Sequence, residues 1–228
     1  KSYSLPNADV LVTVQPDGTL RVREQITFDF SGSYSGAYRD IPVRAGESIT
    51  DVSVSEGATA YRPGANTELG GFGLPDSFGV TDIAGGLRIV WHYGATDERR
   101  TFTIAYRFRG LAVAYDDVVD VNLRVWGEHW PVGVANLTAV MQRPRPTRLS
   151  PSYRVWGNPA WVRAVVGRAP DRATREGVQV PTHRFVEHRV LFPRNLLTST
   201  AGAQVRPGNA FGKIVAAELA AQRDYERD

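Results

Sequence analysis

Cysteine is absent from all 228 residues, lysine occurs only at Lys1 and Lys213, and the one methionine is Met141. Without cysteine there are no disulfides and no thiolate metal ligands, so the fold must rest on its apolar core. No uninterrupted apolar run approaches the roughly 20 residues of a membrane helix. A formal charge of +3 is too small on this length to imply nucleic acid as a partner. Catalytic signatures are missing too. The four histidines, His92, His129, His183 and His188, include no HExxH or His-x-His pair, so no metal site is predicted. A Gly-x-Ser-x-Gly elbow is absent. Gly70-Gly71-Phe72-Gly73 is followed by no Lys-Ser/Thr and opens no helix, which makes it a plain loop and not a phosphate cradle. Neither a cofactor nor an enzymatic activity is expected from these residues.

What is present is an ordinary globular composition, 42% hydrophobic and 22% charged, long enough for one large or two ordinary domains. Alternation of apolar and polar residues dominates it. Val10, Val12 and Val14 alternate up to Gln15-Pro16-Asp17-Gly18, and Leu20, Val22, Ile26, Phe28 and Phe30 alternate after it. Proline sets φ and glycine accepts the left-handed conformation, so a β-hairpin is predicted. Residues 31–46 read as a Gly- and Ser-rich connection, 49–54 and 59–62 as short strands, and 63–86 as a long loop. A second hairpin joins Leu87, Ile89, Trp91 and Tyr93 to Phe102, Ile104, Tyr106 and Phe108. Beyond Gly110 the pattern loosens into an acidic, tryptophan-bearing segment. Residues 132–141, 153–156, 161–166, 178–180 and 184–192 are the later candidate strands, with 143–146 and 167–177 as polar connectors. After Asn209 the chain turns Ala-rich and helix-prone.

This pattern predicts a mostly-β protein: two tandem sandwich-like, immunoglobulin-like domains at 1–110 and 111–205, and a C-terminal helix over 206–228. A chain that opens on Lys1 is expected to be a processed product or a piece of a longer protein, its leader and anchor lying outside it.

Three groups of residues are candidates for a site. Asp116, Asp117, Asp120 and Glu128 form the densest acidic cluster, readable as solvated loop acids, a calcium site or a glycosidase-like pair. Trp126, Trp130, Trp156 and Trp161 read first as core of the second half; Trp156 and Trp161, flanking Gly157-Asn158-Pro159-Ala160, are the pair expected to be exposed if any is, for a sugar ring or a partner pocket. Glu24 sits in the apolar register between Val22 and Ile26. Either a one-residue bulge turns it outward, or it needs a cationic partner, for which Arg39 is the candidate.

The residues also carry a family likeness. Asp17-Gly18 with Leu20, Val22, Glu24, Phe28 and Phe30 forms its opening, followed by Gly36-Ala37-Tyr38-Arg39-Asp40-Ile41-Pro42. Trp91, residues 101–104 with Tyr106, Tyr115 with Asp117, Gly127 with Trp130, and Phe192-Pro193 complete it. In this the chain resembles the family of predicted bacterial membrane proteins called domain of unknown function 2207. It departs from that pattern at Leu123, where a tryptophan is expected nearby, and at Arg143, where an apolar residue is expected. The resemblance implies an extracytoplasmic region on the outer side of the cell membrane, placed between a signal peptide and membrane helices in a bacterial cell-envelope protein. It supplies no catalytic residues. A membrane-anchored binding or structural module follows as the expected function, its partner another envelope protein or a glycan. An envelope glycan hydrolase using the acidic cluster is the alternative.

Overall fold

The turn at Pro16-Asp17-Gly18 shows how local chemistry starts the fold. Gly18 takes φ of 87°, and the Asp17 carboxylate accepts from the backbone N–H and hydroxyl of Thr19 at 2.8 and 3.0 Å. This closes the hairpin between β1 (Ser2–Val14) and β2 (Leu20–Ser31). The computed structural model describes residues 1–145, 149–162, 166–169 and 171–227.

The remaining strands follow in order: β3 (Ser33–Pro42), β4 (Ser48–Glu56), β5 (Thr59–Ala60), β6 (Arg62–Pro63), β7 (Ser77–Ile83), β8 (Gly86–Thr96) and β9 (Arg99–Arg109). After Gly110 come β10 (Val113–Ala114), β11 (Val118–Trp126), β12 (Val134–Gln142), β13 (Arg154–Asn158), β14 (Val166–Arg168), β15 (Arg172–Val180), β16 (Val186–Pro193) and β17 (Gln204–Val205). The helix α1 (Phe211–Arg227) ends the described chain.

Eight strands build sheet A in the order β14-β15-β12-β1-β2-β9-β4-β5, antiparallel except for the parallel pair β1–β12. Its inner face is apolar: Val10, Val12, Val22, Ile26, Phe102, Ile104, Leu137 and Met141 are buried. The outer face is polar, with ladder contacts such as Thr27–Thr101 at 2.8 Å. Two smaller sheets cover the inner face. Sheet B runs β3-β8-β7-β6, and sheet C runs β13-β16-β11-β10-β17. One continuous apolar cluster takes in side chains from all three sheets.

The architecture is therefore mostly β with one C-terminal helix, and its two sandwich-like halves share a sheet. The division at Gly110 separates halves of the chain, but not sheets, because β12 and β15 pair into the same sheet as β1 and β2. Gly110 itself marks a turn: its φ is +77°, and an added Cβ would lie 2.0 Å from the Gly46 carbonyl oxygen.

Four local expectations are corrected. Residues 33–42, read as a connection, form strand β3, because pairing with β8 outweighs the poor strand propensity of Ser and Gly. Residues 77–83, read as part of a loop, form β7. Gly79 there is a packing residue, since a Cβ would lie 2.2 Å from the Ala65 carbonyl oxygen. The loosened acidic segment contains β11, whose one acid, Asp120, occurs on the face away from sheet A. Much of the expected connector 167–177 belongs to β14 and β15. Of the expected strand at 161–166, residues 163–165 lie outside the described residues, as do Pro146 of the 143–146 connector, Pro170 of the 167–177 connector and Asp228 of the C-terminal segment. Arg143 keeps a buried position by laying its guanidinium over the Tyr153 ring, 4.1 Å from the centroid.

Candidate binding cleft

Sheets B and C stand beside each other on sheet A, and a cleft of about 160 Å³ opens where they approach. Its floor comes from sheet A through Tyr3, Phe28 and Phe30. One wall is β3 with Tyr93 of β8, and the other is the segment 127–131 that follows β11. The strand period explains the floor, because Phe28 and Phe30 are successive inward residues of β2. Phe30 meets Tyr34 with centroids 4.8 Å apart and Tyr93 at 5.5 Å, and Tyr3 meets Phe28 at 5.6 Å. Across the cleft Trp130 folds back to stack on Trp126 at 4.8 Å and meets Phe28 at 6.3 Å with the rings tilted by 54°.

Arg39 enters the same wall from β3 and points inward toward sheet A. Its Nε donates to Glu24 Oε2 at 2.9 Å and its Nη2 to Glu24 Oε1 at 3.2 Å. The Tyr106 hydroxyl donates to Glu24 Oε1 at 2.9 Å, and Arg39 Nη1 donates to the Asp40 carbonyl at 2.6 Å. The structure thus brings Glu24 and Arg39 together, with their side chains only 4% and 5% exposed. No bulge intervenes: the pairing Val10↔Glu24↔Ile104 is in register. Burial alone would lower the Arg39 pKa, but the charge of Glu24, the Tyr106 phenol, the hydrogen bonds to Glu24 and the nearby Asp40 together outweigh it and raise it. Burial first, then the Glu24 charge, hold the Tyr106 phenol well above its ordinary value of 10.0.

The rim is polar and its charges are held in ion pairs. Arg88 holds Asp40 through two hydrogen bonds of 2.7 Å and covers the Tyr38 ring at 4.9 Å. On the opposite side Arg124 donates to Glu128 at 2.7 Å and to Glu187 at 3.4 Å. Within the cleft, burial and then the neighbouring Tyr38 and Tyr34 raise the Tyr3 pKa, and burial raises that of Tyr93. At neutral pH these phenols are uncharged.

Of the acidic candidates Glu128 belongs to this rim, and Asp116, Asp117 and Asp120 go elsewhere. Asp116 accepts from the Gly208 backbone N–H at 2.9 Å. Asp117 accepts from the backbone N–H groups of Ala210 and Phe211 at 2.9 and 3.0 Å, so it caps the start of α1. Burial would raise the Asp117 pKa, yet these backbone donors hold it below the ordinary 3.8. Asp120 takes two hydrogen bonds from Arg189, which also donates to the buried Glu218 of α1 at 2.8 Å. These acids dock the helix onto the outer face of sheet C, alongside Val118, Leu191 and Ile214. Among the described residues no cluster of three His, Asp or Glu is placed to hold a metal. Trp156 and Trp161 are both half-buried and lean on different apolar clusters, Trp156 beside α1 and Trp161 on the main core, so they form no shared platform.

The aromatic lining escaped the sequence reading because it converges from separate segments with no linear motif. The usable signal was Tyr34 and Tyr38 within a stretch otherwise poor in apolar residues. Among the described residues no helix is long and apolar enough to cross a membrane.

No curated protein matches the chain. It is similar to the crystal structure of a candidate nutrient binding protein from Legionella pneumophila, with 11% identity and a TM-score of 0.47, covering 83% of this chain and 67% of that one. It is also similar to an M1 zinc metallopeptidase from Deinococcus radiodurans, with 10% identity and a TM-score of 0.46, covering 83% of this chain and 42% of the metallopeptidase. The chain therefore spans less than half the length of that enzyme. Residues 4–192 match the family described as the N-terminal domain of a predicted membrane protein, DUF2207, and the chain belongs to that family.

Proposed function

We propose that this chain is the extracytoplasmic binding module of a membrane-anchored bacterial envelope protein, and that the aromatic cleft between sheets B and C is its binding site. The observation that carries the reading is the cleft itself. It is a concave, aromatic-floored site with polar groups at its rim, placed where two sheets meet. Its charges are already paired, which suits recognition by shape and apolar contact more than acid–base chemistry. The acidic residues that a glycan hydrolase would need are engaged in capping and docking α1 or in ion pairs with arginine.

Two measurements test the two parts. A library of small aromatic fragments screened by NMR against the chain should shift resonances of Tyr34, Tyr93 and Trp130. Hits scattered over the surface, or none, would remove the cleft from consideration. For sidedness, the absence of cysteine from these residues is useful. Thr59→Cys, at an exposed position, should react with a membrane-impermeant maleimide in intact cells carrying the full-length protein. Labelling that appears only after lysis would place the module in the cytoplasm.

A further inference from the structure

The three sheets have six outermost strands among the described residues, and they are not alike, although the two-residue β5 and β6 pair with only two residues each of β4 and β7. Sheet A ends in β14 and β5, of three and two residues; sheet C ends in β13 and β17, of five and two; sheet B ends at one side in β6, of two. Short edges are a usual protection against pairing with foreign strands. The sixth edge, β3, is ten residues long. It has no lysine, its one proline is its last residue, and its one irregularity lies between Tyr34 and Gly36. Ser33, Ser35, Gly36 and Tyr38 along it are exposed.

This long edge borders the aromatic cleft. A further strand laid beside β3 in the plane of sheet B would run over the gap between sheets B and C. Its alternate side chains would then point down toward Phe28, Phe30, Tyr34 and Trp130. We propose that the occupant of the cleft is an extended polypeptide segment that adds to sheet B along β3 and places alternate uncharged apolar or aromatic side chains into the cleft. This rests on the reading of the cleft as the binding site. The Asp40 carbonyl of β3 already accepts from Arg39 and the Gly36 carbonyl from Tyr93. The other outward backbone groups of β3, such as those of Tyr38, therefore supply the sequence-independent affinity, and the aromatic floor supplies selection. Charge selects little, because Asp40 is held by Arg88 and Glu128 by Arg124. A glycan would use the aromatic faces but lacks the regular amide repeat that matches a strand edge, and the edge is what favours a polypeptide.

The test is selection of a phage-displayed library of random peptides against the chain, followed by synthesis of the enriched peptides with N-methyl groups at alternate amides. Strand addition predicts enriched sequences with alternating apolar residues. It also predicts that methylation in one register weakens binding about tenfold or more while the other register tolerates it. Backbone amides within residues 35–38 should become protected from hydrogen exchange in the complex. Failure to enrich any peptide overturns the proposal, as does equal sensitivity of both methylation registers. Glycan oligomers that bind the cleft where no peptide does would also overturn it. If aromatic fragments still bind the cleft while peptides do not, strand addition falls and the cleft stands as a binding site. If neither binds, both fall.

Discussion

Replacing Glu24 by glutamine keeps the side-chain shape and removes the charge against which Arg39 is buried. The carboxylate receives three hydrogen bonds, two from Arg39 at 2.9 and 3.2 Å and one from Tyr106 at 2.9 Å. Water does not compete, since both side chains are about 95% removed from solvent. Each single change leaves a buried charge without its partner. Glu24→Gln leaves the guanidinium with the Asp40 carbonyl, and Arg39→Met leaves the carboxylate with one phenol. Either should lower the unfolding free energy by roughly 3–5 kcal/mol, the usual cost of breaking a buried pair from one side. Against a total stability of about 5–15 kcal/mol, each variant would be close to marginal. The double variant removes both charges, so it should recover roughly 2–3 kcal/mol relative to the sum of the singles. Urea unfolding followed by circular dichroism reads all four proteins, and a shared m-value licenses the comparison. Strict additivity around the cycle would refute the reasoning, because it would mean that the two groups do not depend on each other.

Tyr106→Phe deletes one donor to the same carboxylate and should cost about 1.5–3 kcal/mol, measured by the same unfolding curves. Asp117→Ala should cost about 0.5–2 kcal/mol and speed hydrogen exchange in the first turn of α1. Because the folded pKa of Asp117 lies below its ordinary 3.8, the capping contribution is complete above that pH and is lost as pH falls through the folded value. A stability difference between wild type and Asp117→Ala that persisted well into acid would contradict this. Exchanging residues 68–72 for a Gly/Ser linker should leave the calorimetric melting temperature nearly unchanged, since Leu69 and Phe72 are 46% and 81% exposed. Exchanging all of 63–86 should lower it by many degrees, because that span includes β7 and the buried Phe78.

Period-two alternation made β1, β2, β8 and β9 legible, since each has one buried and one solvated face. The same alternation exposed Glu24 as an anomaly, and Arg39 followed from its chemistry. β3 was hidden because Ser33, Ser35 and Gly36 carry little apolar signal; its strand state comes from β8. β7 was hidden for a related reason, with Gly79 chosen for close approach and not for a turn. The pairing of β1 with β12 leaves no local trace, so the chain appeared to divide cleanly at Gly110. The acids 116–128 looked like one cluster in sequence, yet they serve a helix cap, an ion pair under α1 and a rim pair. The cleft drew on β1, β2, β3, β8 and the segment after β11, and no spacing rule links those positions.

The parallel pairing of β1 with β12 has a consequence in time. Thr13 and Gln142, bonded across it, are 129 residues apart in sequence. A chain emerging from its N-terminus can close the β1–β2 hairpin early and add β9 later, but the second side of β1 stays open until β12 arrives. During that interval a thirteen-residue strand rich in valine is an unguarded template for other chains. Closing so long a loop is also slow, because the contacts that reward it form last. A fragment ending before Val134 should therefore aggregate even with both hairpins intact, because its β1 edge never closes.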